Sequence, residues 1–420
     1  MSTVLLKNIT VTDPNSSYNN KVIDLLIKDG IITDAGSGLK AVDAEVHDFK
    51  GCYASTGWLD LRAQAPDPGY EFKEDLQSLQ NVAASGGFTA VCVLPSGKPV
   101  TQGRSAIEYI INKGRQGAVE LLPLGAITQN LTEENITEMY DMKVSGAVAF
   151  SNANHPVSNA GVMSRAMLYA TNFNGLIYSL PHDEAIAGKG QMAEGRMSTF
   201  LGMKGIPVIG ELLMVQRDIE LAKYNNCRVH ISKISCSESV DLIRKAKKEG
   251  IQVTADVAII NLVMSDESLE SFDSNLKVLP PLRSQNDIDA LIAGLKDGTI
   301  DAISSDHTPE DIENKVLEFD YAAFGAIQLQ TLFSLALKTT LSLEEIIKCI
   351  SINPRKVLEL EIPSITKGEI ANITIFNNDE EWLYNSESNK SKSSNSYFLG
   401  STLKGKVKAI YNRGELVINR

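Results

Sequence analysis

The feature that most constrains this fold is a repeated alternation of short apolar runs with amphipathic stretches through the middle of the chain. The apolar runs include FTAVCVLP, VELLPLGAIT, GAVAFS, LIYSLP, CRVHISKIS, IQVTADVAI and DAISSD, and each adjoins a segment with helical periodicity. Fully apolar strands that alternate with helices are typical of a parallel sheet covered by helices. About eight such units in about 300 residues favour a closed, TIM-like (β/α)8 barrel over an open doubly wound sheet.

The two ends of the chain have a different pattern. Short alternating strands, separated by Asn, Asp and Gly turns, occupy the first fifty residues and return after the barrel region. We predict an α/β protein in which residues 54–364 form the barrel, while residues 1–53 and 365–420 form one small β-sandwich. Within the second part, the polar stretch NSESNKSKSSNS has no apolar anchors and predicts a flexible surface loop.

Composition excludes several classes of function. The net charge of -12 argues against a nucleic-acid or anionic-membrane surface, because both require clustered Lys and Arg. No signal-peptide pattern and no apolar run of membrane-spanning length occurs, so a cytoplasmic location is expected. The cysteines are scattered without a CxxC motif, which predicts buried free thiols. They are Cys52, Cys92, Cys227, Cys236 and Cys349.

Several sequence blocks, in order along nearly the whole chain, resemble dihydroorotases of the type I-like class in the cyclic amidohydrolase superfamily. They include GWLDLRAQAPDPGYEFKEDL, NVAASGGFTAVCVLP, AEGRMSTFLGMKGIPVIGE, NLKVLPPLR, DGTIDAISSDHTPED and SINPRKVLEL. The resemblance implies hydrolysis of a cyclic amide in pyrimidine biosynthesis, with zinc at the C-terminal mouth of the barrel. Such a metal activates a bound water, and it needs imidazole and carboxylate ligands from several strand ends.

The first metal-binding motif of this family is substituted here. Arg62 and Gln64 stand where the resemblance places an HxH pair, and Pro66 stands where it places an arginine that holds the substrate carboxylate. A guanidinium cannot ligate a metal, and an amide is a poor ligand. The run that should begin the metal site therefore lacks its ligands.

Four further family positions are also substituted. Ser96 replaces a substrate-contacting asparagine, and Asn152 occupies the position of a bridging carboxylate. Lys233 replaces a metal-binding histidine, and Leu279 replaces the asparagine of an NPPLR-like motif. His182 lies near another ligand position in an ambiguous register, and we expect that it binds no metal. These substitutions predict a degenerate metal site without a bound cofactor.

The last family motif is intact. The resemblance assigns Asp306 to metal binding and proton transfer, hence to catalysis, and His307 to substrate binding. Because the other ligands are replaced, we interpret both residues as vestigial. We also hypothesise that Arg62, Lys233 or both pair with Asp306 and supply the positive charge that a metal would otherwise bring. Apolar residues at Ile259, Ile260 and Leu279 would further disfavour a small charged substrate.

The leading functional hypothesis is a non-catalytic pseudoenzyme that supports assembly with aspartate carbamoyltransferase. This partner, and a homodimeric state, are implied by the resemblance alone. One alternative is an active dihydroorotase or related cyclic amidase, which predicts a stoichiometric divalent metal. Another is a small-molecule binding module that uses the vacated mouth of the barrel, and it predicts saturable binding without turnover.

Overall fold

The strands of the two chain ends form one sheet, and the strands of the middle of the chain form the barrel. All strands are numbered together along the chain. A computed structural model describes residues 3–419. Five strands precede the barrel: β1 (Thr3–Val11), β2 (Val22–Lys28), β3 (Ile31–Gly36), β4 (Glu45–Asp48) and β5 (Tyr53–Thr56). Three strands follow it: those at Ile373–Tyr384, Ser401–Asn412 and Glu415–Ile418, which are β16, β17 and β18.

Ten strands lie between these two sets. They are β6 (Trp58–Ala63), β7 (Phe88–Val93), β8 (Glu120–Gly125), β9 (Ala149–Ser151), β10 (Leu176–Ser179), β11 (Met192–Ala193), β12 (Gly205–Ile206), β13 (Arg228–Ile231), β14 (Val253–Ala258) and β15 (Ala302–Ser304). Apart from the small β11–β12 pair, they form one parallel sheet in the order β15-β14-β13-β10-β9-β8-β7-β6. A parallel bridge between Ala63 and His307 joins its two edges. The predicted barrel is therefore confirmed.

Helices alternate with the barrel strands as the sequence pattern predicts. They are α1 (Leu76–Gly86), α2 (Arg104–Gly114), α3 (Met139–Val144), α4 (Ala160–Thr171), α5 (Glu184–Ala187), α6 (Arg196–Leu201), α7 (Val208–Asn225), α8 (Ser237–Lys248), α9 (Ile260–Val263), α10 (Gln285–Asp297), α11 (Ile312–Lys315), α12 (Leu332–Ala336), α13 (Leu343–Ile347) and α14 (Asn353–Leu358). Three 3-10 turns and one π turn complete them: Gln129–Leu131, Asp266–Ser271, Ser274–Leu276 and Lys348–Ile352. In the part of the chain that the structure describes, no helix has the length and apolar character to cross a membrane.

The terminal strands form one hydrogen-bonded sheet in the order β18-β17-β16-β5-β1-β2-β3, and β4 pairs with β1. Because β5 pairs with both β1 and β16, it joins the two ends of the chain. Alternate side chains enclose a separate apolar cluster that includes Leu6, Leu25, Ile373 and Tyr411. The expected β unit from both termini is confirmed. Its strands belong to one continuous sheet rather than to two separate sheets.

Trp58, the first residue of β6, lies where the barrel meets this second sheet. Its ring is fully buried, 4.9 Å from the ring of Phe333 and 5.4 Å from that of Phe376. Gly87 ends α1 with a φ of 90°, and a Cβ there would lie 2.6 Å from the Trp58 ring. Gly87 therefore permits both the left-handed helix end and the close approach of the tryptophan.

The segment 385–396 is a loop without helix or strand, as predicted, but part of it is buried against the barrel. Asn395 is buried, and its Nδ2 donates to the carbonyl oxygens of Thr308, at 2.9 Å, and Gly325, at 3.2 Å. Ser393 is also buried and donates from Oγ to the Lys73 carbonyl. The Ser and Asn side chains satisfy backbone groups of the barrel, which makes a polar composition compatible with tight packing. All five cysteines are buried and free, as predicted.

Candidate active site at the barrel mouth

Arg62 lies near the end of β6 and reaches into the mouth of the barrel, where its side chain is about 1% exposed. Its Nε donates to Asp306 Oδ1 at 2.9 Å, and its Nη2 donates to the Ala153 carbonyl at 2.9 Å and to Asn154 Oδ1. The Ser232 hydroxyl accepts from Nη1 at 3.4 Å. The guanidinium is therefore held by groups that follow three different barrel strands, β9, β13 and β15.

Lys233 approaches the same carboxylate from the end of β13. Its Nζ lies 3.1 Å from each oxygen of Asp306 and donates to the Leu279 carbonyl at 2.6 Å. Burial and the neighbouring Arg62 lower the pKa of Lys233 to about 8, against the opposing attraction of Asp306. The hypothesis that Asp306 pairs with Arg62, Lys233 or both is confirmed for both. We call Arg62, Lys233 and Asp306 the ion triad.

The backbone around the triad adopts conformations that are unusual for residues other than glycine. Lys233, Asp306 and Ala153 have φ values of 57°, 46° and 54°, all in the left-handed region. Such backbone costs energy, of order 1–3 kcal/mol per residue, and it is concentrated at functional sites and ligand clamps. The strand ends therefore turn sharply at the mouth, as in an active site.

A second layer of buried charge lies below the triad. Asp256 Oδ1 accepts from the Lys233 backbone N–H at 2.7 Å and lies 3.3 Å from His230 Nε2. Burial opposes ionisation, but the His230 contact and the hydrogen bonds lower the pKa of Asp256 to about 2. At Asp60 the balance is reversed, because burial outweighs two hydrogen bonds from Ser305 and raises the pKa of Asp60 to about 7.

His307 faces a different partner from its neighbour Asp306. Its Nε2 lies 3.2 Å from Oε2 of Glu74, which is fully buried. Glu74 also accepts from Ser391 Oγ and from the Lys392 backbone N–H, at 3.4 Å. Glu74 thus joins His307 to the polar segment Asn385–Ser396. Sequence reasoning missed Glu74, although its place in the family-like EFKED run was an available signal.

The remaining substituted positions make local contacts. In the described range 3–419, none of Gln64, Pro66, Ser96 and Asn152 hydrogen-bonds to a side chain of the ion triad. Instead, Gln64 Nε2 donates to Thr308 Oγ1, the Pro66 carbonyl accepts from Tyr70 N–H, Ser96 Oγ donates weakly to the Leu94 carbonyl, and Asn152 Oδ1 accepts from the Ile127 and Thr128 N–H groups. Leu279 differs, because its carbonyl binds Lys233.

These residues do not fit a divalent metal. Both oxygens of Asp306 already accept from cationic donors, and those cations occupy the space between the strand ends. Over residues 3–419, no group of three His, Cys, Asp or Glu side chains has a geometry suited to an ion. A metal would have to displace both cations and would then find one carboxylate, which is fewer ligands than zinc needs.

Little space remains beside the triad. The cavity lined by Lys233, His182 and Leu279 measures about 10 Å³, which is about the room for a single water. Burial and the nearby Lys233 lower the pKa of His182, although Glu184 and Asp183 oppose this, and the neutral imidazole is favoured. Ile259 and Ile260 are both buried. The space next to Lys233 is therefore largely occupied by side chains of the chain itself.

We expect Glu74→Ala to loosen the segment Asn385–Ser396. The substitution leaves the Lys392 N–H and the Ser391 hydroxyl without their buried acceptor, so the free energy of unfolding should fall by about 1–3 kcal/mol. Hydrogen exchange of amides in this segment should become faster. The control is Glu387→Ala, which removes an exposed carboxylate from the same segment. Unchanged exchange in Glu74→Ala would show that Glu74 does not hold the segment.

Comparison with known proteins identifies the family to which this chain is similar. A sequence model described as Dihydro-orotase-like matches residues 55–239. The chain is 40% identical over 423 aligned residues to a dihydroorotase of Ruminiclostridium cellulolyticum, with 99% of each chain covered. It is 39% identical to a dihydroorotase of a Thermoanaerobacter species, with 98% of this chain and 96% of the relative covered.

Solved structures support the same fold. An L-hydantoinase (dihydropyrimidinase) from Arthrobacter aurescens has a TM-score of 0.86 at 23% identity, with 100% of this chain and 96% of that chain covered. A D-hydantoinase has a TM-score of 0.83 at 22% identity, with 99% and 95% covered. At these identities the structures establish the architecture alone. The match to the curated dihydroorotases is closer and spans both chains, so this protein belongs to the dihydroorotase-like family.

Proposed function

We propose that this chain is a dihydroorotase-like protein of pyrimidine synthesis that does not hydrolyse dihydroorotate. The observation that carries the proposal is the ion triad, in which Arg62 and Lys233 both bind the carboxylate of Asp306. In the family mechanism, this carboxylate would serve a metal and a proton transfer. Here both of its oxygens already accept hydrogen bonds from the two cations.

Hydrolysis of a cyclic amide needs an activated water and a polarised carbonyl. The triad supplies positive charge. However, neither cation can coordinate a water molecule and lower the pKa of that water as a metal does. The cavity that Lys233 lines, at about 10 Å³, is also too small for a ring the size of dihydroorotate. The same restriction disfavours a small-molecule binding module that uses the mouth.

An active dihydroorotase or related cyclic amidase is the second candidate. It is favoured by relatives that are named dihydroorotases and are 39–40% identical over almost the whole chain. This candidate requires Arg62 and Lys233 to leave the mouth when substrate and metal bind. It predicts a stoichiometric metal in the purified protein.

The test is the interconversion of dihydroorotate and carbamoyl aspartate, measured in both directions with and without zinc, beside a metal determination on the same sample. We expect no turnover above buffer and no stoichiometric metal. The dihydroorotase of Ruminiclostridium cellulolyticum is the positive control. Turnover with about one metal per chain would contradict the proposal and support the active enzyme.

The proposal includes a cytoplasmic scaffold role. A homodimer of this chain would support assembly with aspartate carbamoyltransferase, as its family resemblance implies. A scaffold needs its surface and frame rather than its reaction centre, and both sheets of this fold are complete. Co-purification with the carbamoyltransferase chain, followed by mass measurement in solution, tests the partner and the dimer separately.

A further inference from the structure

An apolar surface lies on two segments at the mouth of the barrel, outside the ion triad. Its exposed side chains follow β6 and β15, the two neighbouring strands at which the barrel closes. The segments touch, because Lys73 Nζ lies 5.9 Å from the Tyr70 ring centroid and 2.6 Å from Glu310 Oε2. We call this surface the mouth-rim patch. It comprises Tyr70, Phe72, Ile312, Val316, Leu317 and Tyr321.

The apolar side chains of the mouth-rim patch are highly exposed to solvent. Val316 and Tyr321 are 75% and 77% exposed, and Ile312 and Phe72 are 68% and 62% exposed. Single exposed apolar residues are ordinary on a protein surface. Several within two adjoining short segments are typical of an interaction site.

The segment after β15, which carries most of the patch, is held in place by buried lysine side chains. Lys315 is buried, and its Nζ donates to the carbonyls of Ala323, at 2.8 Å, and Gly325, at 3.0 Å. Lys277 is also buried, and its Nζ donates to the carbonyls of Phe319 and Asp320. Two buried ammonium groups thus fix the backbone while the apolar side chains point outward. Such a preorganised surface loses little entropy when it binds.

The charges around the patch indicate the kind of partner. Between residues 310 and 320, the chain has one basic residue, Lys315, and its ammonium is turned inward. Glu310 is paired with Lys73, and the other acidic residues in this range are Asp311, Glu313, Glu318 and Asp320. A second copy of this chain would bring two acidic rims together, which like-charge repulsion disfavours. A protein surface with an apolar centre and a rim of Lys and Arg would be complementary.

We infer that the mouth-rim patch is the docking surface for a protein partner of this basic, apolar chemistry. The inference rests on the proposed function, because the carbamoyltransferase chain is the partner that the scaffold role requires. It goes further by assigning the contact to named residues. Binding there would also cover the mouth of the barrel from outside.

The experiment measures the Kd of the full chain for aspartate carbamoyltransferase from the same genome by titration calorimetry. We expect Val316→Ser and Tyr321→Ser each to weaken binding about tenfold or more. Tyr224→Ser is the matched control, because Tyr224 is 85% exposed in α7 and lies outside the patch. Glu313→Lys with Glu318→Lys should also weaken binding and reduce its sensitivity to salt, whereas Glu220→Lys on α7 should not.

The binding assays judge the docking surface and the partner, and the hydrolysis assay judges the loss of catalysis. Binding that is unchanged by the patch variants would overturn the docking surface and leave the partner in place. Absence of binding by the parent chain would overturn both the partner and this occupant, while the hydrolysis assay judges the loss of catalysis independently. Self-association that only the patch variants abolish would assign the patch to contacts between copies, against the inference.

Discussion

Replacing Asp306 with alanine should lower the free energy of unfolding by about 3–5 kcal/mol. Arg62 and Lys233 each have a side chain that is about 1% exposed, and Asp306 is the counter-charge that both contact. Without it, two buried cations lie together, unpaired and shielded from water. Urea-induced unfolding of parent and variant, followed by far-UV circular dichroism, measures the loss.

Two further variants make this prediction specific. Asp379→Ala removes a carboxylate whose ion pair with Lys404 is exposed, and it should cost less than about 1 kcal/mol. Adding Lys233→Met to Asp306→Ala removes one of the stranded cations and should recover part of the stability. Similar small losses for Asp306→Ala and Asp379→Ala would contradict a buried triad.

The Asp306 variant also distinguishes the two candidate functions. In a scaffold, alanine at this position changes stability and leaves the metal content unchanged, because there is no ligand to lose. In an active enzyme, the same substitution removes a family ligand and should lower both metal content and turnover. Measuring unfolding and metal on the same preparations therefore links the stability experiment to the hydrolysis assay.

The barrel could be predicted because its strands are buried on both sides and hence apolar throughout, as in FTAVCV of β7. The ion triad could also be predicted, since Arg62 lies near the end of a barrel strand, Lys233 and Asp306 follow barrel strands, and strand ends converge at the mouth. A charged residue at the end of an apolar strand can reach either solvent or the other strand ends. Opposite charges at converging strand ends therefore predict a contact between them.

Other parts of the site depend on contacts that local patterns do not encode. Glu74 and Ser391 are 317 positions apart, and only the folded chain brings the polar segment onto the barrel. A Ser- and Asn-rich stretch resembles a solvated loop because the same side chains bind water in an isolated segment. Likewise, the alternation of WLDLRA in β6 marks Asp60 as inward-facing, but its shifted pKa arises from burial among later strands.

The ionisation of Asp60 should make the protein less stable as the pH rises from about 4 to about 7. Burial is the largest effect on this carboxyl, and it raises the pKa from 3.8 to about 7, with Asp256 adding repulsion. Below pH 3.8 both the folded and the unfolded chain hold the proton. Between the two pKa values only the folded chain holds it, so each increase in pH favours unfolding.

Above about pH 7 the full penalty is present, and it corresponds to about 4 kcal/mol. Asp256 titrates below this range, because its pKa is about 2. That lowered pKa acts in the opposite direction, because its stabilisation is lost as the pH falls from about 4 towards 2. The window from about pH 4 to pH 7 is therefore the one in which Asp60 is best observed.

Asp60→Asn removes the titration while preserving the shape of the side chain. The asparagine Oδ1 can accept from the Ser305 N–H, and its Nδ2 can donate to the Ser305 hydroxyl. That hydroxyl also lies 3.2 Å from the Arg62 carbonyl, to which it can still donate. The variant loses the long hydrogen bond from the Arg62 N–H to Oδ2, at 3.4 Å, but the shorter contacts remain, so the geometry of the neighbouring triad should persist.

The measurement is the difference in unfolding free energy between Asp60→Asn and the parent at pH 5, 6, 7 and 8. We expect this difference to move in favour of the variant with increasing pH and to level off above about pH 7. Asp241→Asn, at a carboxylate that is 78% exposed, should give a difference that is flat with pH. A flat difference for Asp60→Asn as well would mean that Asp60 is ionised throughout, and that the charge beneath the triad is already balanced in the folded protein.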